Sequence, residues 1–300
     1  MLANAFVILQ YLLPKYWLTS VIYRVARIRN RPIKDLLIKG FIRLYGVNTD
    51  EVERELPKGF ATFNDFFVRE LKSDARDIDI NEDSIVSPVD GTVSMAGTLS
   101  ANSILQAKGL EYSLDDLLAT DLAEAAKFVD GRFATVYLAP YNYHRVHAPL
   151  DGQLVAARYV PGDLFSVNDA TASKVAGLFR RNERLIMHFM TEIGPAIVIF
   201  VGALNVGSIS TPWTGEIRPR RTGTVDTIDI TRHDTKVRKG DLLGWFNMGS
   251  TVILLLPNGA CEWDDDLRSG DTLRMGESLG TMTRTTARTI TGTIAVSQND

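Results

Sequence analysis

Ser250 sits between Gly249 and Thr251, directly before the apolar run Val252 to Leu256. A glycine before a serine leaves its carbonyl sterically open and frees the backbone for unusual dihedral angles. A serine hydroxyl can attack such a carbonyl if a base takes its proton. The usual base is a histidine oriented by a carboxylate, a constellation recognised by role and not by chain order. Two of the four histidines, His144 and His147, lie three residues apart, just before the Pro149-Leu150-Asp151-Gly152 turn. So close a pair fits general bases, metal ligands or plain surface residues. A metal needs third and fourth ligands, and only His188, His233 and scattered carboxylates remain to supply them. Asp90 stands in an Asp-Gly turn, where turn formation alone explains the residue type. Asp90, His147 and Ser250 could fill the roles of orienter, base and nucleophile, although spacing does not bring them together.

The elements around these residues read mainly as strand. Arg132–Leu138, Leu185–Met190, Ala196–Val201, Thr224–Ile230 and Thr251–Leu256 are short β-rich runs bounded by Gly, Pro and Asp. One helical interruption is expected near Leu114–Phe128. Ser87-Pro88-Val89-Asp90-Gly91-Thr92-Val93 is echoed by Ala148-Pro149-Leu150-Asp151-Gly152-Gln153-Leu154 and more weakly by Thr211 to Ile217. With the Lys239 to Phe246 run, these turns resemble the hairpins of biotin- and lipoyl-carrier folds, yet no modifiable lysine occupies a turn tip. The expected fold class is α+β: an antiparallel β domain of sandwich or hybrid-barrel hairpins with a helical N-terminal end. Thr62 and Asp65 have capping spacing for a short helix over Thr62–Leu71.

The N-terminal end is distinct in charge. Residues 1–48 carry eight Lys and Arg against Asp35 alone, or +7, which leaves −10 for the rest of a 300-residue chain of net charge −3. That asymmetry points to a basic end meeting an anionic surface, and the overall charge argues against a nucleic-acid partner. Leu13, Trp17, Val21, Val25 and Ile28 recur at helical spacing, with Arg24, Arg27 and Arg31 as a second stripe. Pro32 is expected to end that helix, and Leu36 to Leu44 to form another. Trp17 and the arginines fit an interfacial helix lying on a bilayer. Pro14 and Lys15 interrupt the apolar stretch and disfavour a spanning helix. Met1 to Ala5 lacks the basic start of a secretory signal. The single Cys261 excludes an internal disulfide framework and a multi-cysteine metal cluster.

Seven ordered stretches resemble one family. They are Phe63-Asn64-Asp65-Phe66-Phe67-Val68-Arg69-Glu70-Leu71-Lys72, Ser87 to Val93, Tyr112-Ser113-Leu114, Tyr137 to Pro149, Pro161 to Asn168, Val201-Gly202-Ala203, and Gly249-Ser250-Thr251 with Arg274-Met275-Gly276. From about residue 10 to residue 280 the chain resembles the membrane-associated, pyruvoyl-dependent phosphatidylserine decarboxylases. The resemblance implies that Ser250 attacks the Gly249 carbonyl, with His147 as base and Asp90 orienting it. The chain is then cut between Gly249 and Ser250, and Ser250 becomes a covalent pyruvoyl group, the pyruvate-derived cofactor. That group forms a Schiff base with the serine headgroup and acts as electron sink while carbon dioxide leaves. His144 assists protonation, and Phe165 and Ser166 line the substrate pocket. Two chains, 1–249 and 250–300, a homodimer, phosphatidylserine as substrate and a peripheral location on the cytoplasmic face of the inner membrane complete what the resemblance implies. Met248 stands where family members often carry Leu, a change of little volume. The expected organisation is a membrane-binding region over 1–48, a catalytic domain over 49–280 and a weakly ordered Thr-rich tail over 281–300.

Overall fold

The computed structural model describes residues 2–107, 110–120 and 122–284. Three helices lead the chain: α1 (Leu2–Leu12), α2 (Lys15–Ala26) and α3 (Arg31–Tyr45). Pro14 separates the first two because it lacks the N–H that would continue the α1 ladder. Contrary to expectation, Pro32 does not close α2, which ends at Ala26; it stands in the first turn of α3. Asn30 caps α3 through its side-chain oxygen, which accepts from the Ile33 N–H at 3.3 Å. Proline in the first turn costs no hydrogen bond, since that N–H has no helical partner. Gly46, at φ +63°, ends α3 in the left-handed conformation. Helix α4 (Phe63–Phe67) is capped by Thr62, whose hydroxyl accepts from Asp65 N–H at 3.1 Å. It stops four residues short of the expected Leu71, at the point where the Val68 carbonyl turns to accept from Arg145.

Ten strands position the site: β1 (Gly91–Thr98), β2 (Arg132–Tyr137), β3 (Arg145–His147), β4 (Gly152–Val160), β5 (Arg184–Thr191), β6 (Gly194–Val201), β7 (Ile209–Thr211), β8 (Gly215–Ile217), β9 (Leu242–Phe246) and β10 (Thr251–Leu256). The large sheet runs β4-β5-β6-β10-β2-β1 with every pair antiparallel, extended by short edge strands. β10 lies in its middle between β6 and β2, and each of its six residues is buried. A strand covered on both faces reads as an unbroken apolar run, which is how Val252 to Leu256 reads. A second sheet runs β8-β7-β9-β3. The sheets stay open; no closed barrel forms among the described residues. The Leu114–Phe128 stretch forms two short helices, Leu114–Leu118 and Leu122–Ala125, and a 3-10 turn. Only Asp226–Ile228 of the expected Thr224–Ile230 strand forms. Residues 281–282 of the expected tail finish the Ser278–Met282 strand, and 285–300 lie outside the described residues.

The helical end is not a loose appendage. Ala26 and Ile38 share a core with Val47, Val52, Phe60, Phe63, Phe66 and Phe67, with Phe41 and Met248 packed against it. Phe41 of α3 meets Phe63, Phe66 and Phe67 of α4, with ring centroids 5.2–6.3 Å apart. The buried faces of α2 and α3 mix polar with apolar residues. Lys15 and Thr19 of α2 and Lys34 of α3 are buried. Lys15 reaches the Gln10 carbonyl and Asp163, and Lys34 the Pro57 carbonyl and Asp35. Trp17, Leu36 and Leu44 face outward, 67%, 72% and 75% exposed. The arginine stripe also divides. Arg24 bonds the Ser20 hydroxyl, Arg27 pairs with Glu216, and Arg31 belongs to α3 near Asp35. No described helix is long and apolar enough to cross a membrane.

Candidate active site

The loop 247–250 joins β9 to β10 and carries the Gly249–Ser250 bond. Ser250 is fully buried, and its backbone carbonyl accepts from Leu138 N–H at 2.8 Å. Its Oγ has no hydrogen-bond partner. Met248, two residues earlier, is held at φ +148°, a region L-residues rarely adopt. A buried hydroxyl left unpaired beside a strained turn is a frequent mark of a functional site.

His144 faces this loop. It is fully buried, and Phe67 of α4 covers it at 4.1 Å between ring centroids. Its Nδ1 stands 2.8 Å from the Asn142 carbonyl, so Nδ1 carries the proton and Nε2 keeps a free lone pair. Nε2 has no partner and lies 3.4 Å from where a β-carbon on Gly249 would stand. Burial, then the charge of Arg69, pushes the His144 pKa down to about 3. Arg69 is itself buried, and it donates to the Tyr141 and Asn142 carbonyls at 3.0 and 3.3 Å. The site thus holds a neutral imidazole with an open nitrogen.

His147 ends β3 and belongs to the turns that echo one another in sequence, which pack together in space. Its N–H donates to the Pro88 carbonyl at 2.8 Å, and Gly240 N–H donates to the Ala148 carbonyl at 2.8 Å. Its Nδ1 donates to the Gly240 carbonyl at 2.7 Å, and its Nε2 accepts from the Tyr143 hydroxyl at 3.0 Å. Burial lowers its pKa, a shift opposed by that carbonyl and by the nearby Asp90 charge. Burial also pushes the Tyr143 hydroxyl up to about 12, so it stays a donor. Asp90 accepts from Arg76 Nε at 2.8 Å and from Met275 N–H at 2.9 Å, and its second oxygen meets Arg76 Nη2. No hydrogen bond joins Asp90 to His147, or His147 to Ser250, in this uncut arrangement. The two histidines take different partners, and no group of three or more possible metal ligands gathers among the described residues.

A cavity of about 330 Å³ opens above Gly249, walled by Phe41 and Tyr45 of α3, Phe67, Tyr137, Ser166, Asn205 and Met248. Ser166 therefore borders the cavity. Phe165 is fully buried elsewhere, packed edge-on to Tyr11 and under the Lys15 ammonium. Trp17, Arg24, Arg27 and Arg31 lie outside its walls. Larger clefts, about 560 Å³ beneath α2 and about 640 Å³ beside Asp151, reach neither Met248 nor Gly249. Sequence reasoning assigned no role to Arg69, Arg76, Tyr143 or Asn247. The Phe63 to Lys72 motif contained the signal for Arg69; nothing local distinguished Arg76 or Asn247.

A β-rich α+β fold that buries a serine behind an open glycine, with a neutral imidazole facing that glycine beside an aromatic-walled pocket, holds the groups for acyl chemistry at its own backbone. Residues 63–281 match the family model described as phosphatidylserine decarboxylase, and residues 5–46 match one described as PSD. The chain is 45% identical over 276 residues to the phosphatidylserine decarboxylase proenzyme of Saccharophagus degradans, covering 92% of this chain and 96% of that one. It is 47% identical over 277 residues to that of Psychrobacter arcticus, covering 92% and 98%. The chain belongs to the phosphatidylserine decarboxylase family.

Proposed function

We propose that this protein converts phosphatidylserine to phosphatidylethanolamine and carbon dioxide after cutting itself between Gly249 and Ser250. The observation that carries the reading is the buried, unpartnered Ser250 Oγ next to Gly249, with His144 Nε2 unpartnered and facing Gly249, which itself lines an aromatic-walled cavity. In self-cleavage, Oγ bonds the Gly249 carbonyl carbon and the peptide C–N bond breaks. The hydroxyl proton passes through a base to the Ser250 nitrogen, leaving an ester. Removal of the Ser250 α-proton then breaks the Cβ–O bond and releases the Gly249 carboxylate. Tautomerisation and hydrolysis of the remaining imine release ammonia and leave a pyruvoyl group on residue 250.

His147, with Asp90 nearby, serves as base in this reading once its Nε2 exchanges the Tyr143 hydroxyl for Ser250. Its Nδ1–H bond to Gly240 supports the role, because it leaves Nε2 as the basic atom. The residues around 250 suit a pyruvoyl group: the serine is buried and the adjoining walls are aromatic. That group, a ketone, takes up the headgroup amine and draws off the electron pair left by carbon dioxide.

His144 handles the proton. It is neutral in the free pocket. The headgroup ammonium must lose a proton before its nitrogen attacks, and His144 Nε2 takes that proton, the imidazolium being favoured by attraction to the substrate carboxylate. Departure of carbon dioxide removes that charge, so the proton on Nε2 is handed to the substrate carbon. The cavity offers the carboxylate aromatic walls, with no Lys or Arg among the lining residues.

The outward Trp17, Leu36 and Leu44, with Tyr45 at the cavity wall, support peripheral docking on the cytoplasmic membrane surface with the cavity towards the headgroups. Denaturing mass spectrometry of an active preparation tests the function. The expected result is chains 1–249 and 250–300, the second beginning with pyruvoyl. Active, uncut 300-residue chain sinks the reading.

A further inference from the structure

Asn247 ends the ordered part of β9's exit and is 3% exposed. Every hydrogen-bonding atom of its side-chain amide is occupied. Its Nδ2 donates to Ser208 Oγ at 2.8 Å and to Ser210 Oγ at 3.0 Å, and its Oδ1 accepts from Asn64 Nδ2 at 2.9 Å. Its backbone N–H donates to the Ser208 carbonyl at 2.9 Å. Asn247 therefore ties three segments together: α4, which covers His144 through Phe67, the β7 segment, and the scissile loop. The next residue is the strained Met248, and the one after it is Gly249. On the far side, Thr251 is locked between β2 and β6. The loop thus runs between two fixed points, and the strained residue lies between them.

The clamp continues outward. Ser208 Oγ donates to Glu216 of β8, and Glu216 also accepts from Arg27 and Tyr23 of α2. With its proton given to Glu216, Ser208 Oγ can only accept from Asn247. The amide is the side chain of this size that both donates to two hydroxyls and accepts from Asn64.

We propose that Asn247 is a positioning residue for self-cleavage, holding Met248 strained and the Gly249 carbonyl at the place where Ser250 Oγ reaches it. This rests on cleavage at 249–250. The native chain, run alongside, separates the two claims: a native chain that stays whole removes the cleavage reading itself.

The test follows conversion of freshly made full-length chain by denaturing electrophoresis, with folding checked by thermal unfolding. Asn247→Ala should fold and cleave slower by about tenfold or more, the effect of losing about 1.4 kcal/mol of positioning at the transition state. Asn247→Asp adds a readout that loss of packing alone does not move. As a neutral acid it can still donate one bond and accept another; as a buried carboxylate near Glu216 it cannot donate. Its cleavage rate relative to the native chain should therefore fall between about pH 6 and about pH 8, through a carboxyl pKa raised by burial. Native-rate cleavage in Asn247→Ala, or a flat Asn247→Asp ratio in folded protein, overturns the proposal. If either variant fails to fold, Ser210→Ala decides: it removes one acceptor only, and a native cleavage rate there overturns the proposal while a slowed one upholds it.

Discussion

His144 Nε2 and Gly249 face each other across 3.4 Å, measured to the β-carbon that glycine lacks, although 105 positions separate them in the chain. The contact puts an unpartnered imidazole nitrogen on the carbonyl side of the bond to be cut. His147, engaged by Tyr143 and Gly240, is separately placed beside the Asp90 turn.

The two histidines should therefore separate by step. His147→Ala and Asp90→Ala should leave most chains uncut. His144→Ala should still be cut, with decarboxylation lowered by about 10²–10⁴-fold, the usual size of a proton-transfer contribution. Electrophoresis counts cleavage and carbon dioxide release counts turnover. An uncut His144→Ala chain would move the base role to His144.

Burial, with the Arg69 charge added to it, holds His144 neutral, so removal of Arg69 should appear in a pH profile. Free enzyme needs Nε2 unprotonated to receive substrate. In the native enzyme kcat/KM should fall only as pH drops towards about 3, the pKa of His144. Arg69→Gln removes a like charge, and the acid limb should move to higher pH. An unmoved limb in a folded variant contradicts the role given to Arg69.

Met248 offers a test of strain. Glycine adopts φ +148° without steric cost, so Met248→Gly relaxes a conformation that costs of order 1–3 kcal/mol in an L-residue. The strain is released on the way to the ester, so the glycine variant should cleave more slowly, with Met248→Ala, which loses the same packing against the helical core but keeps the strain, as the comparison. Cleavage at or above the native rate would show that the strain does not contribute.

Glu183 should set part of the pH dependence of stability. It is fully buried; Oε2 accepts from Tyr159 at 2.6 Å and Oε1 has no partner. Burial raises its pKa to about 8 from 4.5. The folded chain thus keeps a proton that the unfolded chain gives up above about pH 4.5, and stability is lost as pH rises towards 8. Glu183→Gln removes this loss. Its melting temperature relative to native should climb between those limits, and a pH-independent difference would count against it.

The outward face of α2 and α3 is testable with vesicles. Leu36→Glu with Leu44→Glu should weaken sedimentation with phosphatidylserine-containing vesicles by about tenfold or more, since each leucine carries roughly 1.5–3 kcal/mol of burial. Unchanged binding would place the docking surface elsewhere.

Local features of the chain announced much of this. The unbroken apolar run after Ser250 is the signature of a strand covered on both faces, and β10 occupies the centre of the large sheet. Thr62 and Asp65 make the cap their spacing implies, because a cap depends on three residues only. Residue type made Ser250, His147 and His144 candidates, and the ordered motifs that resemble a family supplied the roles expected of them. Charge and periodicity announced a helical N-terminal end, though not that its helices share a core with α4.

Which face of a helix is buried did not follow from its periodicity. A stripe of apolar residues looks the same whether it meets a core or a membrane, and α2 turns Lys15 and Thr19 inward because Gln10, Asp163 and the Asn205 N–H wait there. Nor did Pro32 declare which helix it served. The site itself was decided by long-range register. Pairing of Trp245 with Arg145, followed by the Phe246 N–H to His144 carbonyl bond at 3.1 Å, slides His144 up to Gly249. That register is chosen by the packing of two sheets and three helices at once, and no stretch of neighbouring residues encodes it alone.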